Sequence, residues 1–264
     1  MDKAYQIGCI GAGNVASHLL PALCKAGHKI VQVISRSIVS AQSLAEPLGA
    51  QYSSSVISLN PDIDLLFLIV PDDVLPDIIN EISWFRGIVV HTSGSLPLSS
   101  FNSVNYPNGI LYPLQTFTKH RQLDFRSIPI FIEGSNETVL TLLREVSEQI
   151  SNEVYELGSE QRAHLHLAAV FANNFTNYLF TAADEVLRTA GIERGVLNSL
   201  IRETLEKAID PGPVTSQTGP AIRGDIATLK KHLNLLSFST ELREVYQCLT
   251  TSIQNYYSIR SGDK

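Results

Sequence analysis

The run Tyr5-Gln6-Ile7-Gly8-Cys9-Ile10-Gly11-Ala12-Gly13-Asn14-Val15-Ala16 constrains this chain more than any other. An apolar segment enters Gly-x-Gly-x-x-Ala, an amphipathic segment follows from Val15 to Ala26, and a second apolar run covers Ile30 to Ile34. That order predicts a strand, a tight turn, a helix and a second parallel strand. Gly11 permits the turn, Gly13 lets a phosphate approach the backbone, and Ala16 lets the helix pack closely on the strand. The free N–H groups at the helix start, at Asn14 and Val15, face an anion. A glycine turn without a ligand is the plain alternative, and a methyltransferase also carries a Gly-rich first turn. The flanking strands and helix favour a dinucleotide, and a methyltransferase would place an acid at the tip of the second strand.

That tip selects the dinucleotide. NAD sites place Asp or Glu there to accept from the ribose 2′-OH. Here it reads Ser35-Arg36-Ser37. A guanidinium can pair with a 2′-phosphate and stack on adenine, and two hydroxyls can donate to phosphate oxygens. The expected cofactor is NADP, with Arg36 as a solvated surface residue being the alternative.

A chain of 264 residues, 44% of them hydrophobic, can bury one large core or two modest ones. The net charge of −6 argues against a nucleic-acid partner. No apolar run approaches the ~20 residues of a membrane span, and the first apolar stretch is already the cofactor strand rather than a signal peptide. Cys9, Cys24 and Cys248 are scattered without metal-ligand spacing and point to reduced thiols in the cytoplasm.

The first half alternates strands and helices, which implies an α/β fold with a Rossmann-type, doubly wound parallel sheet. Further strands are expected at Gln51-Tyr52, Asp64 to Val70, Gly87 to His91, Ile110 to Tyr112, Ile128 to Ile132 and Val154 to Leu157. No strand signal follows Leu157. The expected domains are therefore a dinucleotide-binding domain over 1–157 and an all-helical domain over 158–264. In the latter a long helix is expected from Ser159 to Ala190, stopped at Gly191, with a loop from Asp210 to Gly224. The long helix is apolar on more than one face, as for a domain centre or a subunit interface.

Ligands bind outside the carboxyl ends of the strands in such a sheet. Val70-Pro71-Asp72 is expected along the nicotinamide ribose, and His91-Thr92-Ser93-Gly94-Ser95 and Tyr112 to Phe117 near the ring. Thr92 belongs with the cofactor-binding set. Ser93 is the first candidate for a substrate-polarising donor, and His91 and Gln115 are candidates for proton supply or anchoring. The alternative for the His91–Ser95 segment is a polar turn capping a helix. Asn173 and Asn174 are costly in an apolar helix unless hydrogen-bonded, and Asn174 is the second donor candidate. His164 and His166, two apart, do not share a helix face, so no metal pair is expected. Asp225 is a candidate N-cap for the helix carrying Thr228 and His232.

The glycine turn followed by a helical domain resembles the 6-phosphogluconate dehydrogenase-like superfamily, which includes β-hydroxyacid dehydrogenases and pyrroline-5-carboxylate reductases. More closely, Val89 to Ser95, Tyr112 to Phe117 and Thr218 to Asp225 are similar to the motifs of a bacterial family of NADP oxidoreductases with a C-terminal domain of unknown function. The resemblance implies a homodimer built on the helical domain and a small-molecule substrate. One departure matters. β-Hydroxyacid dehydrogenases use a lysine about three residues before the Asn pair; that position here is Val170, and no lysine occurs between Gly158 and Leu205. Pyrroline-carboxylate reductases also lack it, and the close family often has His where this chain has Tyr112. The expected activity is NADP(H)-dependent hydride transfer to or from a small carbonyl or imine, with a catalytically silent NADP-binding sensor or assembly protein as the alternative.

Overall fold

In a computed structural model the described residues are 3–101 and 103–261. The first half runs β1 (Gln6–Ile10), α1 (Ala16–Lys25), β2 (Lys29–Ile34), α2 (Ile38–Ala45), β3 (Gln51–Ser53), β4 (Leu65–Leu68), α3 (Leu75–Glu81), β5 (Ile88–His91), β6 (Asn108–Pro113), β7 (Ile130–Gly134), α4 (Glu137–Glu148) and β8 (Val154–Glu156). The strands form one sheet in the order β3-β2-β1-β4-β5-β6-β7-β8. The first six are parallel. Their order is that of the Rossmann sheet, whose ligand crevice opens where the winding reverses, between β1 and β4.

The Rossmann-type α/β sheet is as expected and mostly parallel, with one reversal. β7 runs antiparallel to β6, and β8 is parallel to β7. A parallel return needs a crossover element. Between β6 and β7 the chain forms only a single 3-10 turn, Phe125–Ser127, so β7 comes straight back. α4 supplies the crossover to β8.

Side chains alternate across the sheet because the strand period is two. Leu65 and Phe67 of β4 join Leu19, Leu20 and Leu23 of α1 and Val139, Leu143 and Val146 of α4 in one core. Leu66 and Leu68 join Leu75 and Ile79 of α3, with Phe85 and Phe101, in the core on the other face. The continuous apolar run of β4 is therefore a strand buried on both sides.

The chain divides into two compact units at Asn173/Asn174. The last strand ends at Glu156, where the strand signal stops, but α5 (Ser159–Ala169) stays with the first unit. The long helix is not uniform: α5 passes through a π-helical segment, Val170–Phe175, into α6 (Thr176–Thr189). Gly191, at φ 66°, ends it as expected. The second unit continues with α7 (Asn198–Ile209), α8 (Pro213–Ser216), α9 (Pro220–Arg223), α10 (Ile226–Leu235) and α11 (Thr240–Ser261). The expected loop from Asp210 to Gly224 thus holds two single-turn helices. Each is entered by a positive-φ glycine and then a proline, at Gly212-Pro213 and Gly219-Pro220. Proline's fixed φ suits the first helical position. Asp225 caps α10, accepting from the Thr228 N–H at 3.0 Å and from its hydroxyl at 2.7 Å.

Candidate cofactor and active site

The glycine turn is built by the backbone of its neighbours. The Gly11 N–H donates to the Ile34 carbonyl at 2.7 Å, and the Ile69 N–H donates to the Ile10 carbonyl at 2.8 Å. Gly11 has φ 115°, and a Cβ there would overlap the Ile69 carbonyl oxygen, so both conformation and space require glycine. Gly13 differs. A Cβ there would meet nothing within 4 Å, which leaves open space above the backbone where the pyrophosphate is to lie. Ala16 is fully buried against the core, and no side chain caps the α1 N-terminus at Val15. Its orphan N–H groups are thereby left for an anion.

A cleft of about 280 Å³ opens on this turn. Gly11, Gly13, Ser35, Arg36, Val70 and Pro71, all expected from the sequence at the cofactor site, line this cleft. Ser40 and Ser54 line it too, and the sequence reading missed both. No carboxylate lines this cleft, and Arg36 is exposed with no acidic partner among the described residues. This donor set fits a 2′-phosphate. Ser37 Oγ accepts from the Ser40 N–H at 3.2 Å as the N-cap of α2, which leaves its own proton uncommitted. Asn14 is exposed, and its carbonyl accepts from the Ser17 hydroxyl at 2.8 Å.

Across the crevice, the ends of β4 and β5 are tied together. The Ser95 hydroxyl donates to the Asp72 carboxylate. A hydroxyl has one proton, so in the 3.3 Å contact between Ser93 Oγ and Ser95 Oγ the donor is Ser93. Ser93 Oγ also accepts the N–H groups of Ser95 and Leu96, at 3.2 and 3.0 Å. Its proton is thus committed to the turn. This is the capping alternative for the segment rather than a free polarising donor. Thr92 lies half-buried beside it.

His91 is completely buried and stacks on Phe101, with ring centroids 5.4 Å apart. Its Nδ1 accepts the Ser93 N–H at 3.2 Å, so the neutral ring carries its proton on Nε2. Burial, assisted by the positive charge of Arg162, lowers its pKa to about 4. A ring neutral and sealed in this way braces the turn and is badly placed to supply protons. Gln115 is exposed, and its Oε1 accepts the neighbouring Thr116 N–H at 2.8 Å, a local bond at the end of β6. Asn174 lies in the π-helical segment, exposed, as the first residue of the second unit.

The largest unanticipated feature is one face of α5. Ser159, Arg162 and His166 follow at i, i+3 and i+7 and so share a side of the helix. Ser159 Oγ donates to Glu133 of β7 and accepts the Leu98 N–H at 2.9 Å. Arg162, 1% exposed, pairs with Glu133 and donates to the Leu96 carbonyl at 2.6 Å. His166 Nδ1 lies 3.0 Å from the Tyr112 hydroxyl of β6. A Cβ on Gly94 would fall 2.6 Å from His166 Nδ1 and 2.8 Å from Tyr112 Cζ. The bare backbone at Gly94 is what lets this pair sit against the β5 turn. The i, i+3, i+7 spacing was the available signal in the sequence. His164, on the other side, contacts the Glu160 carbonyl of its own helix. Among the described residues no cluster of three or more His, Cys, Asp or Glu is arranged to hold a metal ion.

Comparison with known proteins agrees with this geometry. Residues 6–94 match a family model described as NADP oxidoreductase, coenzyme F420-dependent. Residues 128–253 match a domain of unknown function, which begins just before the strand that reverses direction. No protein of curated function matches the chain. Among solved structures, the "putative NADP oxidoreductase" of Bacteroides fragilis is 38% identical over 96% of this chain and 98% of its own, with a TM-score of 0.89. A Thermotoga maritima protein is 24% identical over 96% and 99%, with a TM-score of 0.79. An imine reductase of Myxococcus stipitatus, in complex with NADP+, shares the fold at 16% identity over 98% and 94%, with a TM-score of 0.68. The cofactor is NADP. With an open glycine cradle, a cationic 2′-phosphate end and a near full-length relative, the chain belongs to the family of NADP oxidoreductases that carry a C-terminal domain of unknown function.

Proposed function

We propose that the protein uses NADPH to reduce a small carbonyl or imine compound, or runs the reverse oxidation. The observation that carries this is the polarity of the cleft. Arg36 at the tip of β2 marks the phosphorylated adenosine end, and the glycine turn of β1 marks the pyrophosphate. The nicotinamide half therefore runs the other way, along Val70 and Pro71 toward the ends of β5 and β6. When bound, the cofactor supplies a hydride there. Gly11, Gly13, Val15, Ser35, Arg36 and Ser40 hold and orient it, while Ser93 and His91 fix the turn that borders the substrate. The fold shared with an NADP-bound imine reductase supports a reductase of this kind.

The helical unit has a second role in this account, pairing with another copy of the chain. Val196, Leu200 and Ile209 of the helical unit are 62%, 63% and 80% exposed, and Ile226 and Leu235 of α10 are 64% and 71% exposed. Surface of this kind is covered in a stable protein. No helix among the described residues is long and apolar enough to cross a membrane, and the cover in this reading is a second copy of the chain.

The test is NADPH oxidation by the full chain against a panel of cyclic imines and small ketones. Turnover of at least one class is expected. Tight NADPH binding with no turnover on any of them would favour a silent NADP-binding protein, an outcome that the missing lysine makes a real competitor.

A further inference from the structure

We propose that Tyr112 and His166 are the proton-delivery pair of this site: Tyr112 Oη gives its proton to the substrate's oxygen or nitrogen, and His166 Nδ1 refills Tyr112. This rests on the reductase reading above and names the residues that complete it.

The placement follows from topology. β1, β4, β5 and β6 stand side by side, so the end of β6 lies three inter-strand steps, roughly 14 Å, from the glycine turn. A dinucleotide stretched from the β2 tip across β1 and β4 points its reactive end at this part of the sheet edge. Tyr112 is the penultimate residue of β6, and Gly94 of the adjoining turn lies so close to the pair that a Cβ there would overlap both rings. The turn itself is tied through Ser95 to Asp72, next to Val70 and Pro71 of the cleft. No other pair of proton-carrying side chains with a mutual hydrogen bond stands at this edge among the described residues, once Ser93 is assigned to Ser95 and Ser95 to Asp72.

The chemistry balances. NADPH, when bound, would supply the hydride for the new C–H bond at the carbonyl or imine carbon and would be left as NADP+, while the π pair moves to the heteroatom. That pair takes the Tyr112 hydroxyl proton. Tyr112 Oη takes the Nδ1 proton of a protonated His166, which ends neutral. His166 is half-buried rather than sealed, so it recovers a proton from solvent. In the oxidation direction the same steps reverse. With His166 neutral at Nδ1, the Tyr112 proton turns toward the imidazole and away from the substrate.

The charged groups facing the pair are few. Arg162 lies one turn back on α5, held by Glu133 of β7. His91 of β5 is neutral, and the Asp72 carboxylate beyond β4 is taken by Ser95. Burial raises the Tyr112 pKa, and Arg162 offsets only part of the rise, so the phenol holds its proton until the substrate heteroatom takes it. Arg162 is thus a positioning residue, since it acts through Tyr112 and the helix that carries His166.

The experiment has two arms. In the first, the full chain with NADPH is assayed across pH on the best substrate of the imine and ketone panel. Tyr112→Phe should lower kcat about a hundredfold or more, with NADPH affinity unchanged. His166→Asn should remove one ionisation from the kcat–pH profile. Wild-type kcat in Tyr112→Phe at every pH would overturn the proposal. In the second, isotope-edited histidine NMR follows His166 in the protein without substrate. Its titration midpoint should move when Tyr112 becomes Phe, and an unmoved midpoint would overturn the shared proton. A wild-type protein inert on the whole panel counts against the reductase reading, and the NMR arm then decides the pair by itself.

Discussion

The two compact units of this chain solve the burial problem in opposite ways. In the first, side chains from both faces of the sheet are closed off from water, and residues such as Phe67, Leu19 and Val89 are fully buried. In the second, the only buried hydrophobic side chains among the described residues are Ala221, Leu229, Leu236 and Leu242, each still 6–9% exposed. Both units have ordered secondary structure and apolar helix faces, so composition does not separate them. The difference is that the sheet brings distant segments of one chain onto both its faces, while the helices of the second unit bury few apolar side chains among themselves. The sheet unit holds the cofactor cleft on a rigid frame. The helical unit leaves apolar side chains such as Leu200 and Ile209 exposed.

The frame continues into the first helix past the sheet, and Arg162→Ala is the sharpest way to break it. Removing one partner of a buried ion pair costs about 3–5 kcal/mol. The change also frees the Leu96 carbonyl and loosens the segment after Ser95. Urea denaturation should show a loss of that size in the sheet unit. A change within ~0.5 kcal/mol, as for an ordinary surface residue, would mean that α5 is not docked through this pair.

Leu200→Glu probes the other side of the comparison. A leucine on a lone helical surface should tolerate charge with almost no effect. A leucine covered by a second copy loses about 1.5–3 kcal/mol of burial per protomer and places an unpaired carboxylate in the interface. Sedimentation at micromolar concentration should find the wild type dimeric and the variant shifted to monomer. A monomeric wild type would remove the proposed second copy.

Much of the sheet unit was legible because its signals are local. The glycine turn, the Ser35-Arg36 tip and the unbroken apolar run of β4 each specify their place within a few residues. The reversal of β7 was also written in the sequence, as the lack of a helix between Pro113 and Ile130. What escaped was long-range or a matter of depth. Arg162 meets Glu133, 29 positions earlier, and a charged residue in a helix reads as solvent-facing until its partner is known. His91 reads as chemistry by residue type, yet its burial under Phe101 makes it a brace. Ser93 reads as a donor, while its own turn takes both its lone pairs and its proton. The Gly-Pro steps at 212–213 and 219–220 read as loop, though proline after glycine also starts a helix.

The direction in which the cofactor crosses the sheet edge is tested most directly by a crystal structure of the chain with NADP+. The expected result is the 2′-phosphate on Arg36, the pyrophosphate over Gly13 and the α1 N-terminus, and the nicotinamide beyond Pro71 with Tyr112 Oη facing its reactive edge. A 2′-phosphate away from Arg36, or a nicotinamide lying on the β2 side of the glycine turn, would contradict it.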